Sequence, residues 1–137
     1  MRQDLVLNWK ENMCFSSIMD GHEIVVDAAE EFGGTNKGPR PKKLLLLSLA
    51  GCTAMDVVSL LKKMRVEFSN FKIVIDADLS EDHPKRFNSI TLIYIVHCSM
   101  VFKESIEKAV KLSEEKYCGV NAMFRSFATV EHEIIYL

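Results

Sequence analysis

The chain has 137 residues, of which 48% are hydrophobic and 26% charged, with a formal net charge of −2 at pH 7. This length fits one domain, so we predict a single domain over residues 1–137. The composition excludes disorder, and the near-neutral charge provides no basic field for a nucleic-acid partner.

The N-terminal segment MRQDLVLNWKEN has no apolar stretch followed by small residues, so no secretory signal is expected. We therefore expect a cytoplasmic protein whose four cysteines are reduced thiols rather than a disulfide framework. No Cys-x-x-Cys occurs and no Cys and His have zinc-finger spacing, so no metal site is predicted.

Three short strands and a tight turn are predicted at the start of the chain. The strands are Asp4–Trp9, Met13–Met19 and His22–Asp27. Asp20 and Gly21 suit a type I′ turn, in which both central residues need positive φ. We expect an antiparallel meander.

A loop over residues 28–41 leads to a long apolar helix, predicted from Lys42 to Met64. Leu44–Leu61 is 18 residues long with Asp56 as its one charge, which is enough to test as a membrane span. A carboxylate near the centre of a span is unfavourable in lipid, so no membrane partner is expected. A chain of this size struggles to cover both sides of so apolar a helix, and a homodimer is predicted.

The second half is predicted to hold two strands, a helix, a short helical segment and a last strand. In Phe71–Leu79 apolar and polar residues alternate, so one face of this strand is predicted to be exposed to solvent. Ser89–Val101 is apolar on both faces, as in a central strand. The predicted helix Lys103–Tyr117 has an apolar stripe of Ile106, Ala109, Val110, Ser113 and Tyr117. A short helix near Asn121 and a strand over Ser126–Leu137 follow. The class is α+β.

The cysteines are the main candidates for chemistry. Gly51 precedes Cys52 inside the helix, where it costs about 1 kcal/mol relative to Ala, which suggests close approach by a backbone or ligand. Asp56, four residues on, would raise the pKa of the Cys52 thiol. A helix beginning after Cys118 would favour a thiolate there. From the residues alone, core packing stays the commoner role for both cysteines, as it does for Cys14 and Cys98.

Two segments resemble a known family. GGTNKGPRPKKLLLLSLAGCTAMDV has a Gly- and Pro-containing loop and then a helix with a small residue before Cys52 and Thr-Ala after it, and EEKYCGVNAMF contains Cys118. They resemble the osmotically inducible protein C (OsmC) and organic hydroperoxide resistance family, in its less characterised OsmC-like branch. The resemblance implies antiparallel sheets wrapped around long central helices in an intertwined homodimer.

The resemblance also implies a reaction. Cys52 would attack a small-molecule hydroperoxide, Cys118 would resolve the product as a disulfide, and an external dithiol would reduce it without a cofactor. The family's peroxidases have a glutamate at the start of the cysteine helix, paired with an arginine; this chain has Lys42, Lys43 and, in the N-terminal turn, Lys10. The alternative is a non-catalytic dimeric protein that binds a small apolar ligand.

Overall fold

The computed structural model describes every residue from Met1 to Leu137 and confirms the α+β class. It divides into two compact units, Met1–Leu46 and Leu47–Leu137. The prediction of one domain over residues 1–137 stays a prediction. The elements are β1 Asn8–Glu11, β2 Cys14–Met19, β3 His22–Val26, α1 Pro41–Lys63, β4 Phe68–Leu79, β5 Phe87–Cys98, α2 Lys103–Leu112, α3 Gly119–Arg125 and β6 Thr129–Tyr136.

The first unit contains the predicted antiparallel meander, in the order β1-β2-β3. Met19 and His22 are the last pair of the β2–β3 hairpin. Asp20 and Gly21 between them have φ values of 50° and 80°, which confirms the turn with two positive φ angles.

The loop before α1 is organised by a buried carboxylate. Asp27 accepts hydrogen bonds from the backbone N–H groups of Ala28, Thr35 and Lys37, at 2.7, 3.3 and 3.1 Å, and from the Thr35 hydroxyl. These bonds, that of Lys37 first, hold the pKa of Asp27 below its usual value. Gly34 comes so near the Ala28 carbonyl that a Cβ there would lie 1.9 Å from its oxygen.

The second unit has a mixed sheet in the order β4-β5-β6. β5 is the central strand, as predicted, and β4 pairs with it antiparallel. β6 pairs with β5 in parallel, from Ser89 opposite Thr129 to Val96 opposite Tyr136, so the expectation of purely antiparallel sheets is wrong at this strand. The reason is the crossover through α2 and α3, because a parallel pair requires a long connection.

Helix α1 begins at Pro41, one residue before the predicted start, and buries a narrow stripe. Its buried residues follow one another at every fourth position: Leu49, Thr53, Val57 and Leu61. By length and composition α1 is long and apolar enough to cross a membrane, and 22% of its most apolar window is buried. Core helices of soluble proteins pass the same test.

Helix α2 departs from the predicted pattern at its C-terminal end. Four residues of the predicted stripe are buried: Ile106, Ala109, Val110 and Ser113. Tyr117 is 50% exposed, so the prediction that it belongs to this stripe is wrong. Residues Ser113–Tyr117 form a π-helical turn, closed by a 2.8 Å bond from the Cys118 N–H to the Ser113 carbonyl. The extra residue in this turn rotates everything after Ser113 relative to an α-helix.

The close packing at Gly34 leads to a stability prediction. Gly34→Ala should lower the free energy of unfolding by about 1–3 kcal/mol, because backbone must move to admit the methyl group. The matched control is Gly119→Ala, where an added Cβ meets no atom within 4 Å. It should change stability by less than about 0.5 kcal/mol. Urea denaturation of both variants measures the difference, and equal values would contradict the packing.

Candidate active site

The two predicted cysteines lie together in the second unit. Cys52 is half-buried on α1, and Cys118, 3% exposed, is the residue that caps the start of α3. The Sγ atoms of both and a carboxylate oxygen of Asp56 all lie within 4.8 Å of one another. All four cysteines are free thiols. Cys14 is buried in β2 and Cys98 is half-buried at the end of β5.

The surroundings of Cys52 favour the neutral thiol. Burial first, and then a hydrogen bond with Cys118, raise the pKa of Cys52 above its usual value. The negative charge of Asp56 contributes in the same direction, as the sequence predicted. A hydrogen bond with the Val120 backbone opposes the rise.

Cys118 has polar neighbours of its own. Its Sγ accepts a 3.3 Å hydrogen bond from the Asn121 backbone N–H, as expected of a residue that precedes a helix. The Thr53 hydroxyl lies 3.4 Å from the same sulfur and also donates to the Leu49 carbonyl at 2.9 Å. A hydroxyl has one proton, so Thr53 accepts from the Cys118 thiol in this arrangement. By rotating, it can donate to a Cys118 thiolate instead.

Asp56 is held from the π-helical turn. The Ser113 hydroxyl donates to its Oδ2 at 3.1 Å. A cleft of about 230 Å³ lies beside this carboxylate and is lined by Asp56, Ser59, Leu60, Lys63 and Tyr117. The cleft opens the Asp56 side of the site to solvent.

Sequence reasoning missed a charged network behind Cys118. Glu114, whose side chain is 6% exposed, accepts from His132 Nδ1 at 2.9 Å and pairs with Arg125 at 3.5 Å. Arg125 also donates to the Asn121 side chain at 2.6 Å. The available signals were two i,i+4 spacings: Asn121 with Arg125, and buried Val110 with Glu114, which puts Glu114 on the buried side of the helix.

Asn121 Nδ2 is buried without a hydrogen-bond partner, whereas the buried Tyr94 hydroxyl lies beside the side chains of Glu114 and Thr53. Burial, and then the nearby charge of Glu114, raise the pKa of Tyr94, so its phenol stays protonated. Unpaired buried groups are suited to a water or to a polar atom of a ligand.

The first unit and the start of α1 carry several positive charges. Lys42 and Lys43 are exposed at the start of α1, and Lys10 is exposed on β1. Arg40 donates to the Asn36 side chain and the Gly38 carbonyl within its own loop. The close approach expected at Gly51 does not occur within this chain, where an added Cβ would meet no atom within 4 Å.

Fold and site together define an α+β protein with a closely spaced pair of thiols. The chain belongs to the OsmC-like protein family, whose model matches residues 34–133. It is 31% identical to Protein YhfA of Escherichia coli K12 over 92% of each chain. Its fold is similar to that of a hypothetical protein from Aquifex aeolicus, at a TM-score of 0.81 and 30% identity over 100% of this chain and 98% of that one.

An organic hydroperoxide resistance protein from Elizabethkingia anophelis is similar in fold alone, at a TM-score of 0.70 and 13% identity, with 100% of this chain and 99% of that one covered. These likenesses confirm the predicted OsmC-like fold of the chain. The family assignment is also consistent with a soluble protein.

The raised pKa of Cys52 predicts its reactivity. Alkylation of Cys52 by iodoacetamide should accelerate as pH rises through and beyond 9, because the thiolate that reacts is a small fraction at pH 7. Asp56→Asn should accelerate it at pH 7, because removal of a nearby negative charge lowers the pKa. Peptide mapping by mass spectrometry gives the rate at this cysteine.

The control is Asp76→Asn, the same substitution at an exposed position of β4, which should leave the alkylation rate unchanged. An alkylation rate of Cys52 that levels off below pH 8 would contradict its raised pKa. Equal alkylation rates in Asp56→Asn and Asp76→Asn would contradict the effect of the Asp56 charge on Cys52.

Proposed function

We propose that this chain is a cysteine-based, thiol-dependent reductase of organic hydroperoxides, with Cys52 as nucleophile and Cys118 as resolving thiol. The observation that carries the proposal is the distance of at most 4.8 Å between the two sulfur atoms. At that separation a modest side-chain movement brings them to the 2.05 Å of a disulfide. The family assignment, and a fold shared with proteins named for organic hydroperoxide resistance, support the reaction class.

The roles of the two cysteines follow from their exposure. Cys52 is half-buried and Cys118 is buried, so a hydroperoxide reaches Cys52 first. The Cys52 thiolate attacks the terminal peroxide oxygen, the O–O bond breaks, and the alkoxide leaves and takes up a proton as the alcohol. Cys52 becomes a sulfenic acid.

Resolution then uses the second thiol. The Cys118 sulfur attacks the Cys52 sulfenic acid, the S–O bond breaks, and water leaves with the proton of the Cys118 thiol. Thr53 and the Asn121 N–H both contact the Cys118 sulfur and can stabilise its thiolate. An external dithiol returns both cysteines to thiols by exchange. In the cytoplasm, where we place the protein, such dithiols keep thiols reduced.

Substitution of each cysteine tests the proposal. Reduced wild-type protein should consume cumene hydroperoxide and lose two thiols, measured by thiol titration and intact mass. Cys52→Ser should abolish consumption. Cys118→Ser should accumulate a sulfenic acid at Cys52, trapped by dimedone, because no thiol is present to resolve it.

The matched control is Cys98→Ser, which removes a half-buried thiol of β5 and should react as wild type does. If Cys52 stays reduced in the wild-type protein, or if Cys52→Ser consumes hydroperoxide as fast, the proposed reaction is excluded.

One observation favours the alternative of a ligand-binding protein. The first unit has an apolar groove of about 570 Å³ that Met13, Phe15, Val26 and Phe32 help to line. Thiols that stay inert to hydroperoxide, together with an apolar ligand found by native mass spectrometry, would favour this function over the reductase.

We also propose that two copies of the chain form a homodimer through the remaining face of α1. Leu47 is 66% and Met55 is 76% exposed on this helix, although its composition is that of a buried one. A second copy would cover this apolar surface.

The oligomeric state tests this proposal. Light scattering after gel filtration without detergent should give the mass of a dimer. Met55→Glu should give a monomer, because a charge on the covered face cannot be solvated. Met123→Glu, at a position on α3 that is 65% exposed, should remain dimeric. A monomeric wild-type protein would exclude the interface.

A further inference from the structure

We propose that the reduced site formed by Cys52, Asp56 and Cys118 also binds a thiophilic divalent cation such as Zn²⁺, and that this binding excludes the disulfide. The three ligand atoms already lie within 4.8 Å of one another. Around a tetrahedral Zn²⁺, with Zn–S of about 2.3 Å and Zn–O of about 2.1 Å, ligand atoms are about 3.4–3.8 Å apart. Small side-chain rotations close that gap.

The donor set selects the kind of metal. Two thiolates and one carboxylate suit Zn²⁺, Cd²⁺ or Co²⁺, whereas Mg²⁺ and Ca²⁺ prefer oxygen ligands only. Three protein ligands leave a fourth position to water, as in sites where zinc is exchangeable or reactive. The proposal therefore concerns reversible binding rather than a structural metal.

Each ligand has an outer partner of the kind that metal sites use. The Ser113 hydroxyl holds one oxygen of Asp56 at 3.1 Å, which leaves the second oxygen to ligate. The Asn121 N–H donates to Cys118 at 3.3 Å, and the Val120 backbone hydrogen-bonds Cys52. Hydrogen bonds to ligands fix their orientation and moderate the charge on thiolate sulfur.

The cleft of about 230 Å³ lies beside Asp56, so one of the three ligands borders solvent. Lys63 lines it. With two thiolates and a carboxylate, a divalent ion leaves a net charge of about −1, which a lysine at the cleft offsets in part. The ligands, their outer partners and the cleft therefore occur together at this one site.

Metal binding and the proposed redox step compete for the same sulfur atoms. Zn²⁺ displaces one proton from each thiol and forms two Zn–S bonds, with no change of oxidation state. The disulfide has no thiolate, so an oxidised site retains only Asp56 as a ligand. Bound metal should thus protect the pair from hydroperoxide, and oxidation should release the metal. Only this competition rests on the proposed function; the binding itself does not.

Titration of the reduced chain with Co²⁺ tests the binding. We expect one ion per chain, a sulfur-to-cobalt charge-transfer band in the near ultraviolet, and proton release detected by calorimetry in buffers of different ionisation enthalpy. Zn²⁺ should displace the cobalt. Cys52→Ser, Cys118→Ser and Asp56→Asn should each weaken binding by at least about tenfold, and Cys98→Ser should not.

Absence of the charge-transfer band would overturn the proposal, as would an affinity unchanged in Cys52→Ser or Cys118→Ser. Asp56→Asn separates a ligand role from misfolding through its melting curve. A lost ligand should weaken metal binding and leave a cooperative, wild-type-like melting curve, whereas misfolding would weaken binding and abolish that curve.

Hydroperoxide consumption by metal-free protein tests the reductase separately. If the chain binds Co²⁺ but leaves hydroperoxide intact, the metal site is supported and the reductase is excluded. If it consumes hydroperoxide but binds no Co²⁺, the reductase is supported and the metal site is excluded. If both activities exist, Zn²⁺ should suppress hydroperoxide consumption and a chelator should restore it. Undiminished consumption at saturating Zn²⁺ would overturn the competition.

Discussion

The 2.8 Å bond from the Cys118 N–H to the Ser113 carbonyl is the interaction on which the rest of the site depends. It closes the π-helical turn, and that turn decides where the side chains that follow point. Ser113 and Glu114, at its start, stay on the buried side of the helix, and Ser113 donates to Asp56. Tyr117 turns to solvent, and Cys118 caps α3 beside Thr53. An uninterrupted α-helix would rotate these residues apart, and the cysteine pair would lose its second member.

The electrostatics of the pair distinguish this chain from the peroxidases that it resembles. The resemblance implies, for those enzymes, a glutamate at the start of the cysteine helix paired with an arginine; at that helix start this chain has Lys42 and Lys43. An arginine–glutamate pair does exist here, as Arg125 and Glu114, but it lies behind Cys118 and reaches it only through Asn121. Burial and Asp56 meanwhile keep Cys52 protonated. Thr53 and the Asn121 N–H contact the Cys118 sulfur, whereas burial and a carboxylate oppose negative charge on Cys52.

Local signals allowed much of the fold to be predicted. The turn at Asp20 and Gly21, the helix start near Pro41 and the capping role of Cys118 depend on short-range chemistry that a sequence displays. The parallel pairing of β6 and the contact of Glu114 with His132 do not, because both follow from how distant segments pack. The cysteines themselves were found through their family context, whereas nothing local linked Glu114 to a histidine 18 residues further on.

One electrostatic cause underlies both activities proposed for the site. Two sulfur atoms and a carboxylate share a partly dehydrated space, so each added negative charge is unfavourable unless a proton or a cation compensates it. With protons the site is a resting dithiol, and its reaction with hydroperoxide removes two of the three anionic groups as a disulfide. With a divalent ion the same three groups become ligands. Disulfide formation and metal binding therefore both relieve the repulsion among these three groups. Each uses the two sulfur atoms, so the disulfide and the metal complex exclude one another.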